Sequence, residues 1–95
     1  MKTDIDILKK KAVPILKDAG VKRSSLFGSV VRGEEKRGSD IDMLIEPPKG
    51  MSLFGFVGLQ QKLEKAIGRK VDLGEYSTLK PRIRQKILSQ QIRIL

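Results

Sequence analysis

Two aspartates, Asp40 and Asp42, stand two residues apart at the start of a predicted strand, and they are the clearest sign of chemistry in the sequence. Residues i and i+2 of a strand project from the same face of a sheet, so the two carboxylates are expected to lie side by side. Adjacent carboxylates repel each other, whereas Mg²⁺ takes oxygen ligands from one or two carboxylates and from substrate phosphates. The pair therefore predicts a metal site, although two solvated carboxylates that cap a turn fit the same spacing.

A second group of polar residues lies upstream, where Gly28 and Ser29 follow an apolar segment and open a predicted helix. The first turn of a helix offers unpaired backbone N–H groups and the positive end of the helix dipole, which favour a phosphate. Glycine lets the phosphate approach the backbone, Ser29 adds a hydroxyl donor, and Arg32 lies one turn further on the same helix face. Each also has an ordinary structural interpretation, Ser29 as a helix N-cap and Arg32 as half of an ion pair with Glu35.

The elements that would position these residues follow from the apolar periodicity of the chain. Helices are predicted over 3–19, 29–35 and 52–67 and from Pro81 onward, and strands over 21–27, 40–46 and 70–73. Pro14 weakens the first helix, since a proline inside a helix breaks or kinks it. The alternation predicts an α/β or α+β fold with a small mixed sheet flanked by helices. A chain of 95 residues has room for one core, so we expect a single domain over 1–95.

Composition limits the chemistry that such a site could perform. The chain has no histidine and no cysteine, which excludes imidazole bases, serine–histidine triads and thiolate nucleophiles. Twenty Lys and Arg against eleven Asp and Glu give a net charge of +9, which indicates an anionic partner such as a nucleotide, a nucleic acid or an acidic protein. Aromatic residues make up only 4%, so stacking of single-stranded bases is poorly supported. With no apolar run long enough for a bilayer and no secretory signal, we expect no membrane association and a cytoplasmic protein.

The polar groups together resemble the motif of a known enzyme superfamily. Gly28-Ser29, ten further residues and then Asp40-Ile41-Asp42 are similar to the signature of the DNA polymerase beta-like nucleotidyltransferases. With Arg32-Gly33 included, the string resembles that of the minimal nucleotidyltransferases, which are stand-alone prokaryotic domains of about this length. The resemblance covers essentially the whole chain and implies the palm fold of that superfamily.

The resemblance also implies a third carboxylate on a neighbouring strand. Asp72 is the first choice because it lies in the short apolar strand predicted over 70–73. Glu46 and Glu75 are the alternatives, Glu46 being beyond the active end of its strand and Glu75 in a predicted loop. Without the upstream motif, Asp72 would be interpreted as the end of a strand or as the partner of a neighbouring cation.

A mechanism follows from the same resemblance. Two Mg²⁺ ions would hold the attacking and leaving oxygens of an in-line displacement, with Asp40, Asp42 and Asp72 as their ligands. The triphosphate of ATP would be bound by Gly28, Ser29 and Arg32. Asp72 would also take the proton of the acceptor hydroxyl. Nucleoside monophosphate would pass to that hydroxyl and pyrophosphate would leave.

The family also implies a partner protein that supplies the acceptor. Minimal nucleotidyltransferases occur with a HEPN-type ribonuclease toxin, and members act as type VII antitoxins that move AMP from ATP to a toxin tyrosine. No residue of this sequence indicates tyrosine, so the expectation rests on the family alone. Two alternatives stay open: an antitoxin or nucleotide-binding module that neutralises its partner by binding without catalysis, and a basic nucleic-acid-binding protein, which the lack of aromatic residues does not favour.

The C-terminal part of the chain is basic and has no acidic residue from position 76 onward. Its cations could contact an acidic toxin surface or RNA phosphates, or they could simply be solvated; they are Lys80, Arg82, Arg84, Lys86 and Arg93. In the helix that begins at Pro81, Ile83, Ile87 and Leu88 are expected to point inward. The apolar residues that follow, Ile92, Ile94 and Leu95, are expected either in the core or at a contact with a partner.

Overall fold

The structure is a computed structural model that describes residues 5–28, 31 and 40–95. Its described helices and strands are α1 (Ile5–Asp18), β1 (Arg23–Phe27), β2 (Ile41–Glu46), α2 (Leu53–Ile67), β3 (Val71–Glu75), α3 (Pro81–Ser89) and β4 (Ile92–Arg93). A single 3₁₀ turn over Tyr76–Thr78 separates β3 from α3. The helix predicted over 29–35 lies outside the described residues, apart from Val31. None of the described helices is long and apolar enough to span a bilayer.

The strands form one mixed sheet in the order β3-β2-β1-β4. β1 runs antiparallel to both of its neighbours, β2 and β4, whereas β2 and β3 run parallel. Two parallel strands cannot be joined by a hairpin, so the chain crosses between them through α2. The predicted mixed sheet flanked by helices is confirmed.

The helices α1 and α2 cover one face of this sheet and form its core. Alternate residues of the strands point to this face because the side-chain period of a strand is two. Leu26, Met43 and Leu73 thereby pack in one buried cluster with Leu16 of α1 and Leu63 of α2. The intervening strand residues face the other side, which we call the open face.

Both ends of α2 are capped by residues that the sequence supplies locally. Ser52 Oγ accepts a hydrogen bond of 3.0 Å from the Gly55 N–H at the start of the helix. At its end Gly68 adopts a left-handed conformation with φ of 77°, and its N–H donates to the Glu64 carbonyl. Each cap stabilises the helix by about 1 kcal/mol, which offsets much of the propensity lost at Gly55 and Gly58.

The prediction for the last helix was right about its start and wrong about its packing. The helix α3 begins at Pro81 but buries none of its residues. Ile83, expected to point inward, is 46% exposed, and Ile87 and Leu88 are only partly buried. Periodicity defines an apolar stripe on a helix, but it does not reveal whether another element lies against that stripe.

Two features of the sheet differ from the predicted strands. The strand β3 continues beyond Leu73 to Glu75, and β4, which was not predicted, adds to the free edge of β1. Two residues are too few to show an alternating pattern in the sequence. Ile94, directly after β4, is 4% exposed and packs in the core. For this residue the core interpretation is correct, and a contact with a partner is not.

Candidate active site

Asp42 and Asp72 lie side by side on the open face of the sheet. They are paired directly with each other in the register of the parallel strands β2 and β3. Their strand neighbours Met43 and Leu73 are buried in the core, which turns both aspartates to the opposite side. Asp42 is partly buried and Asp72 is exposed. The structure therefore brings together two of the three carboxylates that the sequence singled out.

The bend at Gly28 lies directly against the carboxylate of Asp42. Phe27, the last residue of β1, pairs with Asp42 in the antiparallel register, and Gly28 follows with φ of 76°. A Cβ atom built on Gly28 would overlap Asp42 Oδ2. Position 28 therefore requires glycine for two reasons, its backbone conformation and its closeness to the Asp42 carboxylate. The other two predicted phosphate ligands, Ser29 and Arg32, lie outside the described residues.

Asp40 stands immediately before β2 and is exposed. The Ile41 N–H that follows it donates to the Lys70 carbonyl at 2.8 Å, which joins the starts of β2 and β3. Among the residues that the structure describes, no three acidic side chains are close enough together to share one ion. Asp42 and Asp72 by themselves offer the adjacent oxygen donors that Mg²⁺ takes, so these residues fit a divalent cation. Asp40 as a further ligand stays a prediction.

Two side chains of α2 fix the start of β3, directly before Asp72. The Val71 N–H donates to Glu64 Oε2 at 2.9 Å, and Gln60 Nε2 donates to the Val71 carbonyl at 2.8 Å. Since β3 is an edge strand, these backbone groups have no strand partner on their outer side. We call Gln60 and Glu64 the α2 clamp. It satisfies both outward groups of Val71 and thereby holds the backbone that presents Asp72.

The α2 clamp was missed from sequence. Its signal was available, because Gln60 and Glu64 are four residues apart on the helix and flank the buried Leu63. Polar residues at that spacing lie on one face of a helix, next to the core stripe. They could have been recognised as polar groups that reach a strand edge, but the strand they reach is known only from the fold.

Neither alternative to Asp72 lies beside Asp42. Glu46 is at the other end of β2, where its Oε1 accepts from Arg23 Nε at 3.0 Å. Glu75 pairs in register with Ile45 near the same end, and its Oε2 accepts a bond of 3.3 Å from the Ser77 hydroxyl. Of the three residues considered for the third carboxylate, Asp72 is the one next to Asp42.

Tyr76 joins the 3₁₀ turn after β3 to β1 across the open face. Its ring lies under the Arg23 guanidinium, with 4.2 Å from Cζ to the ring centroid. Its hydroxyl donates to Ser25 Oγ at 2.6 Å, and both side chains are buried. This contact covers the part of the open face that lies beyond the two aspartates.

The basic residues of the C-terminal part are solvent-exposed. They comprise Lys80 before α3, three residues of the helix and one of β4, namely Arg82, Arg84, Lys86 and Arg93. Because α3 buries no residue, its positive charge and the half-exposed Ile83 are both presented to solvent.

Comparison with protein families shows the enzyme class of the chain. The family model described as the nucleotidyltransferase domain matches residues 9–94. The chain belongs to this nucleotidyltransferase family. The match includes Gly28, both aspartates of the predicted motif and Asp72, so the enzyme class expected from the motif is confirmed.

Two relatives of the nucleotidyltransferase are named as enzymes that transfer adenylate to a protein. A protein of Methanocaldococcus jannaschii, provisionally named a protein adenylyltransferase, is 41% identical over 92 residues, which are 97% of this chain and 99% of the relative. The protein adenylyltransferase MntA of Thermococcus cleftensis is 40% identical over 73 residues, 77% of this chain and 74% of the relative.

Solved structures give the same fold. One described as a minimal nucleotidyltransferase has a TM-score of 0.81 at 31% identity, and the match covers 95% of both chains. A toxin–antitoxin solved with AMP-PNP has a TM-score of 0.78 at 26% identity, over 92% of this chain and 72% of that one. The nucleotidyltransferase thus has the polymerase beta-like fold that the motif implied.

Proposed function

We propose that this nucleotidyltransferase moves AMP from ATP to a hydroxyl group, that of a tyrosine, on a HEPN-type toxin, and that it acts as the antitoxin of that toxin. The names of its relatives support adenylyl transfer to a protein. Its similarity to a toxin–antitoxin that contains AMP-PNP supports both a nucleotide and a toxin as its partners. The HEPN type, the tyrosine and the type VII role come from the resemblance to minimal nucleotidyltransferases.

One observation carries the proposal: the paired carboxylates of Asp42 and Asp72 adjoin the Gly28 bend. A transferase of nucleotides needs negative ligands for a divalent cation next to a backbone segment that a phosphate can approach. A Cβ atom built on Gly28 would overlap Asp42 Oδ2, and Asp72 is paired with Asp42 on the neighbouring strand. This juxtaposition supports phosphoryl chemistry over an inert pair of surface acids.

Asp42 and Asp72 would hold Mg²⁺, which supplies charge neutralisation for the triphosphate and acidifies an acceptor hydroxyl. Gly28 leaves room for phosphate beside the backbone. The acceptor oxygen forms a bond to the α-phosphorus while the bond to pyrophosphate breaks. The hydroxyl proton goes to Asp72, whose exposure on the open face leaves it accessible to a protein acceptor.

The test is a transfer assay with the intact chain, MgATP and the product of the adjacent gene, which this proposal expects to be a HEPN-type toxin. We expect the mass of the toxin to increase by one or more adenylate units. Asp42→Asn is expected to lower the rate by at least about 100-fold, because it removes a ligand charge from the site. Asp18→Asn, at an exposed acid at the end of α1, is the matched control and is expected to leave the rate unchanged.

A toxin that is neutralised with no gain of mass, equally by the parent chain and by Asp42→Asn, would replace the enzyme with a binding-only antitoxin. The exposed cations of α3 make nucleic acid a further ligand to assay. Binding of RNA that weakens steeply with salt and does not depend on MgATP would support the third function considered. The cytoplasmic location stays a prediction.

A further inference from the structure

Gln91 extends the row of active-site residues on the open face. In the antiparallel pairing of β1 with β4, Ser25 is opposite Arg93 and Leu26 is opposite Ile92. The β1–β4 pairing ends there, and Gln91 directly precedes Ile92 just as Phe27, the partner of Asp42, directly follows Leu26. Phe27, Asp42 and Asp72 follow one another across the sheet, and an extension of the β1–β4 register by one residue adds Gln91 next to Phe27. Because Ile92 pairs with the core residue Leu26, Gln91 lies at a position of the open face.

The carboxamide oxygen of Gln91 is buried and accepts no hydrogen bond from any residue that the structure describes. Buried polar atoms in folded proteins nearly always have a partner, since an unpaired acceptor loses its hydration without compensation. In the described part of the chain this oxygen is the one buried side-chain polar atom that lacks a partner. Such an atom, placed beside an active site, is suited to a donor that arrives with a ligand.

None of the described side chains supplies that donor. Phe27 has none, and Arg93 directs its Nε to the Leu95 carbonyl at 2.9 Å. Ser25 Oγ accepts a hydrogen bond from the Tyr76 hydroxyl at 2.6 Å, and no bond from Ser25 to Gln91 is formed. The acceptor capacity of the Gln91 oxygen is thus not used by the described part of the chain.

We propose that Gln91 is a specificity-determining residue whose Oε1 accepts a hydrogen bond from the nucleoside part of the bound nucleotide, an inference that rests on the proposed function. Phosphates have only acceptor oxygens at neutral pH, so they cannot satisfy a carboxamide oxygen. A nucleoside offers two kinds of donor, the hydroxyls of ribose and the amino group of the base. Glutamine oxygen accepts well from the amino group of adenine. A nucleotide whose phosphates lie at Gly28 has Gln91 as a neighbour on the far side of Phe27 from Asp42.

The experiment compares Gln91→Met with Gln85→Met, which makes the same exchange at an exposed position of α3. Methionine has nearly the shape of glutamine without its strong acceptor. Binding of Mg²⁺·AMP-PNP is measured by titration calorimetry, and thermal unfolding is measured without nucleotide. We expect Gln91→Met to weaken binding about 5- to 10-fold. We expect its nucleotide-free midpoint to rise by about 1–3 °C, because a buried unpaired acceptor is removed. Gln85→Met is expected to change neither quantity.

The opposite signs of these two effects identify the role. If the oxygen accepts a hydrogen bond from the chain itself, Gln91→Met lowers the midpoint and leaves binding unchanged, and the inference is overturned. Should methionine not be accommodated, Gln91→Leu makes the same removal with a shorter side chain. A parent chain that binds AMP-PNP with an affinity equal to that of Gln91→Met rejects the inference but not the proposed function. A parent chain that binds no nucleotide rejects both.

Analogues identify the donor. Purine riboside triphosphate lacks the amino group of adenine, and 2′-deoxy-ATP and 3′-deoxy-ATP each lack one ribose hydroxyl. In the parent chain, the analogue that lacks the relevant donor is expected to bind about 5- to 10-fold more weakly than ATP. In Gln91→Met, that analogue and ATP are expected to bind with the same affinity. If every analogue loses affinity equally in the parent and in Gln91→Met, Gln91 contacts no nucleoside donor and the inference fails.

Discussion

The two faces of the sheet are formed by the same strands, but one face packs in the core and the other carries the candidate active site. On the covered face, alternate residues such as Met43 and Leu73 pack against α1 and α2 and are almost fully buried. On the open face, their immediate neighbours Asp42 and Asp72 stand together beside the Gly28 bend. The comparison shows how a short chain obtains a core and a site from the same few strands. It also implies that the two sets of residues can be changed separately, one affecting stability and the other chemistry.

The largest effect is expected on the covered face, from Leu26→Ala. Leu26 is fully buried, and removing its side chain leaves a cavity that should lower the free energy of unfolding by about 2–5 kcal/mol. Ile7→Ala, at an exposed position of α1, is the control and should change it by less than about 0.5 kcal/mol. Urea denaturation measures both. A loss of transfer activity in folded Leu26→Ala, measured at a temperature where it is fully native, would contradict the separation of the two faces.

On the open face, Gly28→Ala is expected to lower the rate of AMP transfer by about 100-fold, because a Cβ there would displace the Asp42 carboxylate. Its backbone cost, about 1–2 kcal/mol of unfolding free energy, comes from the positive φ. Gly50→Ala is a matched control, since Gly50 has φ of 86° and nothing within 4 Å of a built Cβ. Gly50→Ala should lower the unfolding free energy by a similar amount and leave the rate of AMP transfer unchanged. Equal rates for the two variants would show that the bend does not need to approach Asp42.

A smaller effect that crosses the two faces is expected from Glu64→Ala. The Val71 N–H loses its acceptor, which should lower the unfolding free energy by about 1–3 kcal/mol. Because Val71 precedes Asp72, transfer should also slow, by up to about 10-fold. Lys65→Ala, at an exposed neighbour in α2, should alter neither stability nor rate. Glu64→Gln retains an acceptor and should recover most of the stability and most of the transfer rate. If the rate of Glu64→Ala equals that of the parent chain, the α2 clamp does not position Asp72.

The smallest effect is expected from Tyr76→Phe, which removes the hydrogen bond to Ser25 on the open face. A neutral buried hydrogen bond contributes about 1 kcal/mol to stability. A double-mutant cycle with Ser25→Ala isolates the contact, and its coupling energy should be at least about 0.5 kcal/mol. If the two single losses simply add, the two hydroxyls do not interact measurably in solution.

Local pattern was sufficient for most of the fold. The helix α2 was predicted within a residue of its observed bounds because its apolar residues recur at helical spacing and Gly68 ends the pattern. The helix α1 continues through Pro14, which is exposed, so the carbonyl that loses its partner can reach water. The strand β2 was predicted within one residue because Asp40-Ile41-Asp42 alternates clearly.

What could not be predicted depends on which elements meet. Nothing within the sequence near Asp72 states that it is paired with Asp42, because the register of parallel strands is decided by the core on the other face. The exposure of Ile83 and the addition of β4 to β1 are likewise decided by neighbours distant in the chain. The motif resemblance named Asp72 correctly as a candidate neighbour of Asp42, and the structure supplied the α2 clamp and the position of Gln91.

The parallel register between β2 and β3 has a consequence for how length changes in this chain are tolerated. Residues added to the turn that links β2 to α2, around Lys49 and Gly50, lengthen an exposed loop and leave both strands in place. A single residue inserted between Lys70 and Asp72 reverses the side-chain alternation of β3, so that the Asp72 carboxylate points into the core and Val71 points to the open face. The number of residues between Asp42 and Asp72 can therefore vary in related chains. The variation is tolerated in the loops, but not in the residues just before Asp72 that decide which face of the sheet it points to.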